Sequence, residues 1–171
     1  MGSPSVSEDD RFDPNMAHFF YLFHRNNHSF HKVLKNYEVL EHTADIRLKI
    51  KALTLKGLFK QACLAITGVS AEKEKLLYPE KHKIVVTQKA DNLEELFVNW
   101  VNELLSLSSA EGLIFEDVKI IRVNEKFIDA LALGRDARNY KVNVEIKAAT
   151  YHELKVGKTG LFWQAEVILD V

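Results

Sequence analysis

Leu93, Leu96, Phe97, Trp100, Val101, Leu104 and Leu105 fall at i, i+3, i+4 and i+7 spacing. Over three turns, that spacing gathers apolar side chains on one face of an α-helix and on no strand. Asp91-Asn92-Leu93-Glu94 stands ahead of the run with a capping-box form: Asp91 as N-cap acceptor and a carboxylate three residues on. A stripe this wide, with Trp100 in it, is a core face rather than a cofactor box. The fold must therefore supply an apolar surface for this helix to cover.

Residues 46–51 (IRLKIK) alternate apolar and cationic without a break, as a half-buried strand does. Thr54 can N-cap a second helix, in which Leu55, Leu58, Phe59, Ala62, Ala65 and Ile66 keep helical spacing and Gly68 lies near the stop. Residues 71–83 read as a charged connection, and 84–88 as a short strand. Residues 113–115, 118–123 and 127–133 read as strands, with Gly134-Arg135-Asp136 as a turn or loop. From 140 to 148, Tyr140, Val142, Val144 and Ile146 alternate with Lys141, Asn143, Glu145 and Lys147, which predicts a strong strand. A shorter strand over 151–156, a turn at 157–160 and a last strand over 161–169 follow, ending in Asp170-Val171. The expected fold is α+β: a mixed, largely antiparallel sheet of about seven strands with two main helices packed on it.

At 171 residues the chain has room for one ordinary domain. The single Cys63 excludes an internal disulfide framework and fits a reducing, intracellular compartment, cytoplasmic or nuclear. With 23 basic and 24 acidic residues, the net charge of −1 argues against coating nucleic acid by charge. Residues 1–36 differ in composition from the rest. They hold His18, His24, His28 and His31, four of the seven histidines, and an apolar aromatic run at 16–23. That run is far short of the roughly 20 residues needed to cross a bilayer, and no membrane partner is expected. The reading is an N-terminal extension over 1–36 and a folded domain over 37–171.

No nucleophile elbow, phosphate-binding loop, zinc-protease motif or cysteine pair is present. Cys63 sits beside the buried stripe of its helix and reads as a packed thiol. Two carboxylates are more informative. Asp45 lies where the chain enters its first strand, and Asp170 where the last strand ends. If those strands are antiparallel neighbours, the two acids meet at one sheet edge. A chain ending at Val171 adds its terminal oxygens. Such a group of hard oxygen donors favours Ca²⁺ or Mg²⁺ over zinc. The spacing alone leaves the plainer alternative open, in which Asp45 forms a turn and Asp170 is solvated. His42 and His152 read as strand-end residues, and Lys147 as a solvated lysine able to pair with Glu145.

Taken together, Glu41-His42-Thr43-Ala44-Asp45, the helix 54–62, Asp91-Asn92-Leu93 with Asn99-Trp100-Val101-Asn102-Glu103-Leu104-Leu105, Glu145 through His152, and Trp163 with 167–171 resemble the archease family. The resemblance runs in order over residues 37–171. One departure is Lys51-Ala52-Leu53, where many members carry a glycine. The extension 1–36 has no counterpart in the short microbial form. The resemblance implies an accessory protein, without catalysis of its own, for an RtcB-type RNA ligase or tRNA-splicing ligase complex. It would promote guanylylation and repeated turnover, with RNA contacted only through the ligase. It also implies a metal-binding acidic tip at Asp45, Asp170 and Val171, taking a divalent cation, Ca²⁺ first, with Mg²⁺ or Mn²⁺ as alternatives. Lys147 is carried over as an interface residue. A general chaperone or scaffold for RNA-processing proteins, with a structural metal, is the competing reading.

Overall fold

The computed structural model describes residues 36–41 and 45–171. The extension's histidines and aromatic run, and His42, lie outside the described residues. Within them the order is β1 (Tyr37–Glu41), β2 (Ile46–Ala52), α1 (Leu55–Ser70), β3 (Ala71–Lys73), β4 (His82–Lys89), α2 (Leu93–Glu111), β5 (Leu113–Asn124), β6 (Phe127–Asp136), a 3-10 turn (Ala137–Asn139), β7 (Tyr140–Val142), β8 (Ala148–Thr159) and β9 (Phe162–Asp170). All strand pairs are antiparallel. The expected single sheet is divided into a four-stranded sheet β1-β2-β9-β8, a three-stranded sheet β4-β6-β5 and a two-stranded ribbon β3-β7. The class is α+β, as the pattern predicts.

Both helices form where periodicity places them. In α1 the Thr54 side chain accepts from the Gly57 amide at 3.0 Å, and Leu58, Phe59, Ala62, Cys63, Ala65 and Ile66 are buried. In α2 the capping box is slipped by one residue. Asn92, not Asp91, accepts from the Glu95 amide, and the Glu95 carboxylate accepts from the Asp91 amide, both at 2.9 Å. The slip makes Leu93 the first helical residue and buries it with Leu96, Phe97 and Trp100. Gly112 ends the helix at φ +62, a left-handed conformation that glycine adopts without strain. The helices meet through Phe59 and Trp100, whose rings lie edge to face at 6.1 Å, and the Trp100 indole N–H donates to the Phe59 carbonyl at 3.1 Å. Burying side chains of this size stabilises the fold by roughly 1.5–3 kcal/mol each.

Several boundaries differ from the pattern, each because of a partner distant in sequence. Residues 71–73 pair with β7 rather than serving as connection. The two strands expected over 113–123 are one strand with register shifts between Phe115 and Asp117 and between Ile120 and Arg122. Gly134 is no turn. It lies within β6, where an added Cβ would stand 3.0 Å from the Ile114 carbonyl oxygen, so glycine serves close strand approach. The strand expected over 140–148 stops at Val142, since the chain changes sheets there. The Asn143 and Val144 amides donate to the Ser70 carbonyl at the end of α1. Beyond that switch the Lys147 amide donates to the Asp170 carbonyl at 2.8 Å and the chain joins β9. β8 then runs to Thr159, through most of the expected turn, and reverses at its last residue, Gly160, φ +61.

Candidate functional site

β2 and β9 are neighbours, and Ile46 faces Leu169 across the ladder. Continuing that register by one step sets Asp45 opposite Asp170, the last residue of β9. The antiparallel pairing on which that expected adjacency depends is thus present. Both aspartates are half-buried. Their side chains point away from the core, because Leu48, Ile50, Val167 and Leu169 take the inward positions. Among the described residues neither carboxylate has a hydrogen bond or ion pair.

Lys147 arrives at the same edge from the other side. Its backbone amide is tied to Asp170, and its ammonium donates to the Val171 carbonyl oxygen at 2.9 Å. The pairing with Glu145 that the sequence suggests is replaced by this contact. Asp45, Asp170, Val171 and Lys147 therefore share one end of the sheet, and of the side chains there the Lys147 ammonium bonds the Val171 oxygen.

What holds β8 in place was not read from the sequence. The Asn102 side chain, on α2, accepts from the Ala149 amide at 2.7 Å and donates to its carbonyl at 3.2 Å. A two-way amide clamp of this kind fixes backbone position as a ladder partner would. The clue was a polar residue between Val101 and Leu104 on an otherwise apolar face.

The donor set suits a hard cation: carboxylate oxygens, a main-chain oxygen and no thiolate. No group of three or more His, Cys, Asp or Glu side chains able to hold a metal forms among the described residues. The two aspartates thus need oxygens from Val171, from water or from a partner to complete a shell. Cys63 is remote from this chemistry. It is buried, and burial pushes its thiol up to about 12, so it stays protonated and unreactive.

Residues 37–171 match the model of the Archease protein family. The protein archease of Methanosarcina barkeri is 34% identical over 143 residues, covering 80% of this chain and 97% of the relative. That of Pyrococcus furiosus is 32% identical over 144 residues, covering 81% and 100%. The solution structure of Methanobacterium thermoautotrophicum protein 1598 superposes with a TM-score of 0.62 at 23% identity, over 81% of this chain and all of that one. The crystal structure of the Thermotoga maritima archease, described as a possible chaperone, gives 0.54 at 22%, over 85% and 100%. These two likenesses speak to the fold. The small α+β domain thus has parallels in sequence and in architecture. The chain belongs to the archease family. No helix among the described residues is long and apolar enough to cross a membrane.

Proposed function

We propose that this protein is a non-catalytic accessory factor of an RtcB-type RNA ligase in tRNA splicing, acting through a divalent cation held at Asp45 and Asp170. The observation that supports the reading is the β2–β9 register, which brings two unpaired carboxylates to one end of the ladder. Two such charges repel one another unless a cation or proton intervenes. A bound divalent ion supplies charge neutralisation for phosphate oxygens. Asp45 and Asp170 would hold and orient it, and Val171 would add an oxygen. Ca²⁺ fits the donor set first, with Mg²⁺ or Mn²⁺ next. Lys147 would touch the ligase, its ammonium leaving Val171 for a partner carboxylate or phosphate. Guanylyl transfer and ligation stay on the ligase, and RNA is met through it.

The test is ligation with limiting RtcB-type ligase, with and without this protein. Stimulation beyond one turnover per ligase is expected, and its loss with Asp45→Ala and Asp170→Ala. If both variants, still folded, stimulate as well as wild type, the metal tip is not the working part. A general chaperone is the second reading, favoured by exposed apolar side chains such as Leu161, 80% accessible, and Val85, 69%. Suppression of aggregation of unrelated unfolded proteins, with no effect on the ligase, would select it.

A further inference from the structure

The outer face of the four-stranded sheet holds a second polar group, two ladder steps inward from the aspartates and the next row on that face. Arg47 on β2 faces Ile168 on β9, and Ile168 faces Thr150 on β8. Paired residues share a face, so these three side chains stand in a row on the side away from the core. Just past Thr150 the strand bulges. Thr150 pairs with Ile168 and Lys155 with Glu166, leaving residues 151–154 looped out. Glu153 in this loop has φ +51, a left-handed conformation uncommon for a residue with a side chain. Its carboxylate is bonded to an Arg47 Nη2 that reaches across β9. That crossing lies above Ile168, which is only 3% exposed although it faces away from the core.

The pair is poorly matched. An Arg–carboxylate pair reaches full strength as a fork, with two parallel N–H bonds. Here the Arg47 Nε is buried and has no partner, and neither does the Thr150 hydroxyl in the same row. A buried N–H donor and a buried hydroxyl are thus left open beside a guanidinium that one carboxylate only partly satisfies. His152 stands next to the carboxylate, its Nε2 3.7 Å from Glu153 Oε1, and is largely exposed. Lys49 and Lys155 hold the next row, both directed at Glu166, at 3.1 and 4.0 Å.

We propose that Arg47 and Thr150 form a binding site for a tetrahedral oxyanion of the phosphate-monoester class, with Glu153 as a carboxylate plug that the oxyanion displaces. A phosphate offers more acceptor oxygens than Glu153 does. It takes Arg47 Nε and Nη2 together and accepts from the Thr150 hydroxyl, while His152 adds an N–H from the rim. The Glu153 side chain is half exposed, so its carboxylate can yield Arg47 to the oxyanion. The site stands on the sheet and its unpaired donors, not on a metal at Asp45 and Asp170. It is the next row of the same face after those aspartates, so a cation held there, as proposed above, and an oxyanion held here would lie within reach of one phosphorylated ligand.

The experiment is a titration of the full chain with inorganic phosphate in the presence of a chelator. Ionic strength is held with chloride, and amide chemical shifts and binding heat are followed. Saturable binding is expected, with the largest shifts at Arg47 and residues 150–154. Glu153→Gln is expected to tighten it roughly five- to tenfold by removing the competing charge. Arg47→Lys, which keeps the charge and loses the fork, is expected to remove most of it. Phosphate binding no better than chloride would overturn the proposal, as would unchanged affinity in a folded Arg47→Lys or Glu153→Gln protein. With metal chelated throughout, the result stands apart from the ligation assay on Asp45 and Asp170.

Discussion

Glu116 and the Asp45–Asp170 pair are carboxylates treated in opposite ways by the same fold. Glu116, on β5, is surrounded. Lys73 and the Tyr140 hydroxyl both bond its Oε1 at 2.6 Å, and Arg135 bonds its Oε2 at 2.9 Å. Partial burial pushes its pKa up, but those hydrogen bonds outweigh this and hold it at about 2. Tyr140 is correspondingly pushed above the usual phenol range by burial and by Glu116. Arg135 also reaches the Pro79 carbonyl, and Asn139 bonds the Leu77 and Tyr78 amides, so the cluster pins the 74–81 connection. Asp45, just ahead of β2, and Asp170, at the end of β9, lie at the same end of the β2–β9 ladder with no such partners among the described residues. A carboxylate that the fold saturates has nothing left for a ligand, whereas carboxylates left without partners keep their oxygens available to a cation.

The largest effect that separates the two regions is on metal affinity. Asp45→Ala and Asp170→Ala should each weaken Ca²⁺ binding by about tenfold or more, read by calorimetry, with melting temperature unchanged or raised. Glu116→Gln should bind Ca²⁺ as wild type does, and equal losses in all three variants would erase the distinction.

Next in size is the clamp that carries Lys147 and Asp170. Asn102→Ala leaves the Ala149 amide and carbonyl without their partners and should cost about 2–4 kcal/mol in denaturant unfolding. Hydrogen exchange at the Ala149 amide should accelerate more than at β6, and uniform acceleration would show that the clamp is not local.

Glu116→Gln should cost roughly 1–3 kcal/mol at neutral pH, through loss of charge-assisted hydrogen bonds. The sign with pH follows from a carboxylate whose folded pKa is depressed. Its contribution is present above the unfolded value of 4.5 and is lost as pH falls toward about 2. Unfolding curves across that window should show wild type losing its advantage over Glu116→Gln, and a constant difference would refute the linkage.

The smallest effect is expected from Lys147→Met. Its ammonium is exposed and makes one contact with Val171, so stability should change by no more than about 0.5 kcal/mol. Ca²⁺ binding should tighten by about two- to fivefold, because a competing cation is gone. Weaker binding in this variant would mean that Lys147 helps to build the site.

Much of this was legible along the chain. The α2 stripe announced a helix with Trp100 inside, and the alternation at 46–51 announced β2. Asp45 before a strand and Asp170 after one were visible as candidates. Asn102, Arg47, Thr150 and Glu153 were not, since each acts through a partner far along the chain. The alternation from Tyr140 to Lys147 was real, but it runs through a change of sheet at Asn143, where Ser70 takes over the hydrogen bonds.

Sequence alone determined the local elements, because the 3.6-residue turn and the two-residue pleat impose periods readable within a few residues. It also determined the kinds of chemistry available: carboxylates at strand ends, one thiol and near-zero net charge. The tertiary structure decided which ends meet. Ladder pairing is non-local, and the pairing of β2 with β9 and of β9 with β8 follows from covering one core with two helices. That choice brought Asp45 opposite Asp170 and Lys147 to Val171, and it drew Arg47 across Ile168 to Glu153.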